Sequence, residues 1–170
     1  MTKVELEPFS KLREHSDYIA WMSDPTIIKY LETRFYPQSK HRLESYLIEQ
    51  NSRSDIVFLA IVAGGHVGNI KLGPIDWIHR CAEIGLVLGK GYWGKGYGTE
   101  AIALIVDHAF NKLNLHKLTA GAYAENIASI RIFEKNGFVQ EGCIKSRYYL
   151  SEGKRTDKIL LGLINPREAP

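Results

Sequence analysis

The stretch at residues 89–101, GKGYWGKGYGTEA, limits what this chain can fold into more than any other. Its five glycines cannot hold a regular element by themselves, so its flanks define it. Upstream, Ala82, Ile84, Leu86 and Leu88 alternate with Glu83, Gly85 and Val87, the period of a strand with two unlike faces. Downstream, Ile102, Ile105, Val106, Ala109, Phe110 and Leu113 recur at the spacing of one helix face. A glycine-rich turn from a strand into a helix presents bare N–H groups at the positive end of the helix dipole. That arrangement is an anion site, best suited to phosphates.

Two phosphate-binding patterns fail on particular residues. Gly89, Gly94 and Lys95 have Walker A spacing, but Gly96 follows where a Ser or Thr hydroxyl must hold magnesium. Gly96, Gly98 and Ala101 fit the dinucleotide pattern G-x-G-x-x-G/A, yet only roughly 70 residues follow, too few for the further βα units of that fold. The 170 residues suffice for one domain with a substantial core and are too few for two ordinary ones. A net charge of +3 suits an anionic ligand, and no run of Lys or Arg forms the basic stripe of a nucleic-acid binder. The N-terminal stretch lacks the apolar segment of a secretory signal, and the longest apolar run, residues 56–63, is too short to span a bilayer. The cytoplasm is therefore the expected compartment, with neither nucleic acid nor membrane as a partner. Cys81 and Cys143 offer no disulfide framework and no metal spacing, and both fall in apolar strand patterns where buried thiols are inert.

In chain order, residues 3–9 alternate as a strand and 10–23 read as a helix that Asp24-Pro25 breaks. A short helical turn at 27–31 leads into a loop at 32–37 that mixes charge with aromatics. Residues 39–50 form a helix with Leu43, Tyr46 and Leu47 as its apolar face. The continuous apolar run at 55–63 predicts a central strand covered on both faces, and Gly64-Gly65 turns it into a second strand at 66–72. A loop through Asp76 and Trp77 precedes the strand before the glycine stretch, whose helix should reach about Asn114. Then come a strand at 117–123, a helix that Asn126 caps and Gly137 ends, and a closing hairpin of 138–150 with 156–164.

A third phosphate-loop pattern does fit. Gly96 and Gly98 occupy the two small positions of the coenzyme A loop of GNAT acetyltransferases, Gln/Arg-x-x-Gly-x-Gly/Ala, with Trp93 where Gln or Arg is usual. Residues 126–138, NIASIRIFEKNGF, and the tail from Glu141, EGCIKSRYYLSEGKRTD, follow in the order of the family. The chain thus resembles the GNAT family over essentially its whole length. Within it, it is similar to the RimJ/RimL-type branch, which acetylates ribosomal-protein N-termini, polyamines, antibiotics and amino sugars. The resemblance implies an α+β (mixed α/β) fold, a single GNAT domain over residues 1–170. Its central twisted sheet would be mostly antiparallel, flanked by helices and splayed at the cofactor site. Acetyl-CoA is the implied co-substrate, with no metal.

The resemblance also implies roles for residues. Trp93, Gly94, Lys95, Gly96, Tyr97, Gly98 and Thr99 would hold the pyrophosphate, mainly by backbone, and a Cβ at Gly94, Gly96 or Gly98 would push it away. Thr99 is a helix cap or a phosphate ligand. Leu86, Val87 and Leu88 would offer backbone donors to the thioester carbonyl and the pantetheine arm, a contribution of about 3 kcal/mol. Gly85 would admit the acetyl group. Glu83, on the strand face opposite Ala82 and Ile84, is the candidate general base or an ordinary solvated glutamate. Phe133 stands where many relatives carry a tyrosine in Tyr-x-x-x-Gly-Phe, so the phenol is absent and a cofactor contact is what remains. A thiol ionises near 8.5 and its anion leaves with little acid help. Ser129 is the candidate acid, and Asn126 contacts the pantetheine or simply caps its helix.

Acceptor-side segments would supply Glu32, Arg34, Tyr36, Asp76, Trp77, Tyr148 and Tyr149. Carboxylates with aromatics suit a cationic amine, whereas Arg34 with tyrosines suits an anionic sugar nucleotide. The expected activity is acetyl transfer to a primary amine by direct attack in a ternary complex. A protein N-terminus, a polyamine or antibiotic, or an amino-sugar nucleotide would be the acceptor, and the chain could form a homodimer. The alternative is a non-catalytic acetyl-CoA sensor or interaction module.

Overall fold

The computed structural model describes residues 3–9, 16–36, 39–151 and 153–168. In chain order these form β1 (Glu5–Pro8), α1 (Ser16–Ser23), α2 (Lys40–Ser52), β2 (Val57–Val62), β3 (His66–Leu72), β4 (Cys81–Leu88) and α3 (Tyr97–Asp107). They continue with β5 (Lys117–Tyr123), α4 (Ile127–Glu134), β6 (Val139–Ser151) and β7 (Lys154–Ile164). The strands join in one sheet of order β1-β2-β3-β4-β5-β7-β6, and β4–β5 is its one parallel pairing.

That pairing is short. Cys81, Ala82 and Glu83 face Lys117, Leu118 and Thr119, and there the ladder stops. Beyond it β4 stays on β3 as far as Leu88, and β5 stays on β7 as far as Tyr123. The sheet therefore opens between β4 and β5, as the resemblance implies.

Each sheet face is covered because its strands alternate. On one face α3 contributes Ile102 and Ile105, both fully buried, to a cluster with Ile70, Leu72, Ile84 and Leu118. On the other, α1 and α2 bring Tyr18, Met22, Leu43 and Leu47 to Phe9 and Phe58. Helix α2 starts where Ser39 accepts from the Arg42 N–H at 3.2 Å, and α4 ends ahead of Gly137 at φ 84°.

Some expectations shift. β2 is second from the sheet edge rather than central, yet both its faces are covered, as its unbroken apolar run requires. Helix α3 stops at Asp107 and continues as a π turn, His108–Lys112. Cys143 is exposed and Cys81 half-buried, because β6 is an edge strand and Cys81 opens β4. Residues 10–15 of the first expected helix, Pro37 and Glu152 lie outside the described residues. No helix among the described residues is long and apolar enough to cross a membrane.

Truncating Ile102 to Ala should lower the unfolding free energy by about 2–5 kcal/mol, through lost burial and an unfilled cavity. Ile48 is 72 % exposed, and the same truncation there should change stability by less than about 0.5 kcal/mol. Urea denaturation of both variants checks the assignment of the core face.

Candidate active site

The direction of the peptide groups along β4 decides what the opening offers. The Glu83 carbonyl accepts from the Gly73 N–H at 2.8 Å, and the Gly89 N–H donates to the Val67 carbonyl at 3.0 Å. Both bonds lie on the β3 side. Peptide groups alternate sides along a strand, so those of Glu83, Gly85 and Val87 face β3, while those of Leu86 and Leu88 face the gap. The Leu88 carbonyl is taken there by the Trp93 indole N–H at 3.0 Å. The N–H groups of Leu86 and Leu88 point to where a β5 partner would lie, beyond the last paired residue.

A cleft of about 600 Å³ lies in this opening. Leu86, Val87 and Leu88 line it from β4, and Trp93, Gly94, Gly96, Gly98 and Thr99 from the glycine loop and α3. Asn126, Ser129 and Ile132 line it from α4 and its cap, and Thr26, Ile27, Lys29, Tyr30 and Leu31 from the segment after α1. Gly94 and Gly96 adopt φ of 73° and 85°, a region L side chains avoid, so the turn itself requires glycine. Gly96 precedes α3 without a side-chain cap, leaving the first amides of the helix to a ligand or water. A Cβ on Gly94 would meet nothing within 4 Å, so the space over the loop is open.

Several expected roles change here. Gly98 is glycine for packing, since a Cβ would stand 3.2 Å from Leu88 Cδ1 and 3.3 Å from Leu86 Cδ2. It brings α3 down onto β4. The side chains of Lys95 and Tyr97 do not line the cleft; both turn to Tyr92, Lys95 Nζ lying 5.7 Å from its ring centroid. Thr99 sits inside the first turn of α3 and is not its cap. Its carbonyl accepts from Asn136 Nδ2 at 3.1 Å, which ties α4 to α3. Asn126 caps α4, its side chain accepting from the Ser129 N–H at 3.3 Å, and still lines the cleft. Phe133 does not reach the cleft. It is 3 % exposed and packs edge-on to Phe138 in the core, whereas Ser129 and Ile132 of the same helix line the cleft.

A second cavity, of about 440 Å³, lies on the face of β4 that carries Gly85. It shares Leu31, Leu86 and Val87 with the cleft, so the two meet where β4 leaves β5. A Cβ on Gly85 would meet nothing within 4 Å and would project into this space. Sequence reasoning missed Lys71 and Asn69 in its wall. They stand opposite Gly85 and Val87 in the β3–β4 register, and pairing the two strands back from the glycine loop would have found them. Burial, with Arg53 nearby, holds the Lys71 ammonium below its usual pKa, while Glu83, Asp55 and Glu49 oppose the shift.

Glu32 and Tyr36 line this cavity, and Arg34, Tyr148 and Tyr149 pack behind them without lining it. Glu32 accepts from the Tyr123 hydroxyl at 3.1 Å, and Tyr123 stacks flat on Tyr148 at 4.0 Å. The Arg34 guanidinium lies 4.4 Å over Phe35 and donates to the Tyr149 carbonyl, whose ring also packs on Phe35. Tyr36 lines the cavity with Arg42 over its ring. Asp76 and Trp77 do not join them. They precede the Cys81 end of β4, where the sheet is closed, and Asp76 is occupied by the Ile78 and His79 N–H groups. Glu83 is the last paired residue of β4, exposed on the Gly85 face, its Oε1 3.4 Å from where a Cβ on Gly121 would lie. It stands at the closed end of the opening, just outside the cavity wall. Among the described residues, no group of three His, Cys, Asp or Glu could hold a metal ion.

A parting of two parallel strands, with a glycine-loop helix start on one side and a second cavity of small-molecule size on the other, is the layout of a two-substrate site. Residues 3–139 match the model of the acetyltransferase (GNAT) domain, and the chain belongs to this family. It is 31 % identical over 169 residues to the uncharacterized N-acetyltransferase p20 of Bacillus licheniformis, covering 96 % of this chain and 91 % of that one. It is 28 % identical over 149 residues to the spermidine N(1)-acetyltransferase of Escherichia coli (strain K12), covering 87 % and 79 %. Among solved structures, the spermidine N-acetyltransferase of Vibrio cholerae in complex with CoA and spermine superposes with a TM-score of 0.82 over 95 % of both chains at 22 % identity, a likeness of fold.

Burial and the Glu32 carboxylate push the Tyr123 phenol up to about 12 from an ordinary 10.0. The folded state thus holds this proton longer than the unfolded one. The stability it confers is present below pH 10 and is lost as pH rises through about 12. Tyr123→Phe should flatten the alkaline fall in stability by up to about 1.4 kcal/mol per pH unit in that window, read by denaturant titration. An unchanged slope would mean an ordinary phenol.

Proposed function

We propose that this protein is an acetyl-CoA-dependent N-acetyltransferase of the RimJ/RimL type, acting in the cytoplasm on a primary amine by direct attack in a ternary complex. The observation that carries the reading is the meeting of the cleft and the second cavity at Leu86 and Val87, beside the open face of Gly85. A non-catalytic binder would need the cleft alone.

The residues present fit acetyl-CoA: open space over Gly94, uncapped amides at the start of α3, and two gap-facing donors on β4. Acetyl-CoA supplies the activated acyl carbon. The backbone from Gly94 to Thr99 holds the pyrophosphate, and Trp93, Asn126 and Ile132 flank the arm. The N–H groups of Leu86 and Leu88 hold the arm and the thioester carbonyl, and such donors act most strongly on charge that develops during reaction. The amine enters over Gly85. Glu83 first takes a proton from the bound ammonium through water, freeing the lone pair. As the nitrogen bonds to the acyl carbon and the C–S bond breaks, the second amine proton passes through water to the Ser129 hydroxyl as that hydroxyl donates its own proton to the departing sulfur. Spermidine-acetylating relatives support a small-molecule amine, and a peptide N-terminus, an antibiotic or an amino-sugar nucleotide is the wider set.

Acetyl-CoA should raise the melting temperature in a saturable way, because it binds the native state alone, and NAD and ATP should do so more weakly. Gly85→Val should preserve that shift yet lower transfer by about 100-fold or more, since it fills the point of attack. If Gly85→Val instead transferred normally, the site of attack would lie elsewhere.

Glu83→Gln should lower kcat by roughly 10²–10⁴-fold with little change in acetyl-CoA affinity, and its residual rate should rise more steeply with pH, because the free amine must then form in solvent. A steady-state pH profile reads both effects. Unchanged kcat on a good acceptor would remove Glu83 from the mechanism.

A further inference from the structure

The wall of the second cavity carries three charged side chains, Glu32, Arg42 and Lys71. Two are cations, and the carboxylate already accepts from Tyr123. Most of the remaining wall is apolar or aromatic, with Tyr18, Met22, Leu43, Tyr46 and Phe58 around it. The volume, about 440 Å³, is that of a small-molecule site. A polyamine entering it would place one ammonium near Glu83 at the edge, while its remaining ammonium groups would lose water, meet one engaged carboxylate and face Lys71 and Arg42. Buried charge without a partner is expensive, and like charges add to the cost.

Resting on the acetyl-transfer reading above, we propose that the acceptor is a zwitterionic amine: an α-amino acid with a bulky apolar or aromatic side chain. Its amine lies over Gly85, its carboxylate against Lys71, and its side chain among Met22, Tyr46 and Phe58. The register supports this placement. Lys71 stands directly opposite Gly85 on the neighbouring antiparallel strand, a hydrogen-bonded pair whose Cα atoms lie about 5.5 Å apart. The stem of Lys71 thereby starts beside the point of attack, and its side chain and Gly85 line the same cavity. Arg53, Asp55, Glu49 and Glu83 also surround Lys71, and its Nζ donates to Gln50 Oε1 at 3.4 Å, a long bond that a carboxylate can replace. Asn69, 2 % exposed and in the same wall, adds a polar side chain opposite Val87.

The test measures thiol release by the full chain at saturating acetyl-CoA with L-tryptophan, with tryptamine, which is the same body without its carboxylate, and with spermidine. L-Tryptophan should exceed both in kcat/KM by about tenfold or more, the effect of satisfying a built polar contact. Lys71→Met, which keeps the stem and removes the charge, should bring the tryptophan-to-tryptamine ratio towards one, and Lys71→Arg should retain most of it. A ratio within one variant is insensitive to how much of that variant is folded. Preference for tryptamine or spermidine, or a ratio unmoved by Lys71→Met, would overturn the inference while the released thiol upheld acetyl transfer. No release with any of the three would also overturn it. If acetyl-CoA in addition left the melting temperature unchanged, the acetyl-transfer reading would fall too.

Discussion

Two backbone N–H groups, those of Leu86 and Leu88, lack the strand partner that the sheet gives their neighbours, and the rest of the site depends on that omission. A sheet that paired β4 and β5 to their ends would have a stronger ladder and no site. The parting is held from several directions. β5 stays on β7 to Tyr123, whose carbonyl accepts from the Asn126 N–H at 2.9 Å and so turns the chain into α4. Gly98 lets α3 settle on the Leu86 and Leu88 side chains, and the Trp93 indole takes the Leu88 carbonyl. What remains unpaired is a pair of donors. Unpaired donors away from bulk water are costly until a ligand or ordered water meets them, so the binding preference is built into the backbone.

The alternation of β4 then separates the two substrates. Its even residues send side chains to α3 and peptide groups to the gap, which suits an extended thioester arm. Its odd residues leave an open face, bare at Gly85, with Glu83 at the closed end and Lys71 across the register. One strand therefore presents unpaired donors on one side and open space at Gly85 on the other, the arrangement that the proposed direct attack requires.

Most of the fold was legible because the elements carry strong local signals. The strands expected at 66–72 and 117–123 are the observed ones, and the glycine loop, Asn126 and Gly137 punctuate the helices as their chemistry requires. Local pattern fell short where a residue answers to a distant one. Phe133 looked like a cleft residue from its motif, but it is buried against Phe138, a contact that the motif does not reveal. Asp76 and Trp77 look like recognition residues in any loop, and only the sheet order shows that they sit at the closed end. Lys71 was missed for the same reason. Only the β3–β4 register sets it opposite Gly85, 14 positions away in the chain.

The central claim, that the gap-facing amides of β4 receive the acetyl-CoA arm, is tested most directly by residue-resolved hydrogen exchange. In the free protein the Leu86 and Leu88 amides should exchange about 100-fold or more faster than those of Gly85 and Val87, which β3 holds. Saturating acetyl-CoA should slow the first pair and leave the second nearly unchanged. Protection of Leu86 and Leu88 before ligand is added, or no change on adding it, would contradict the account.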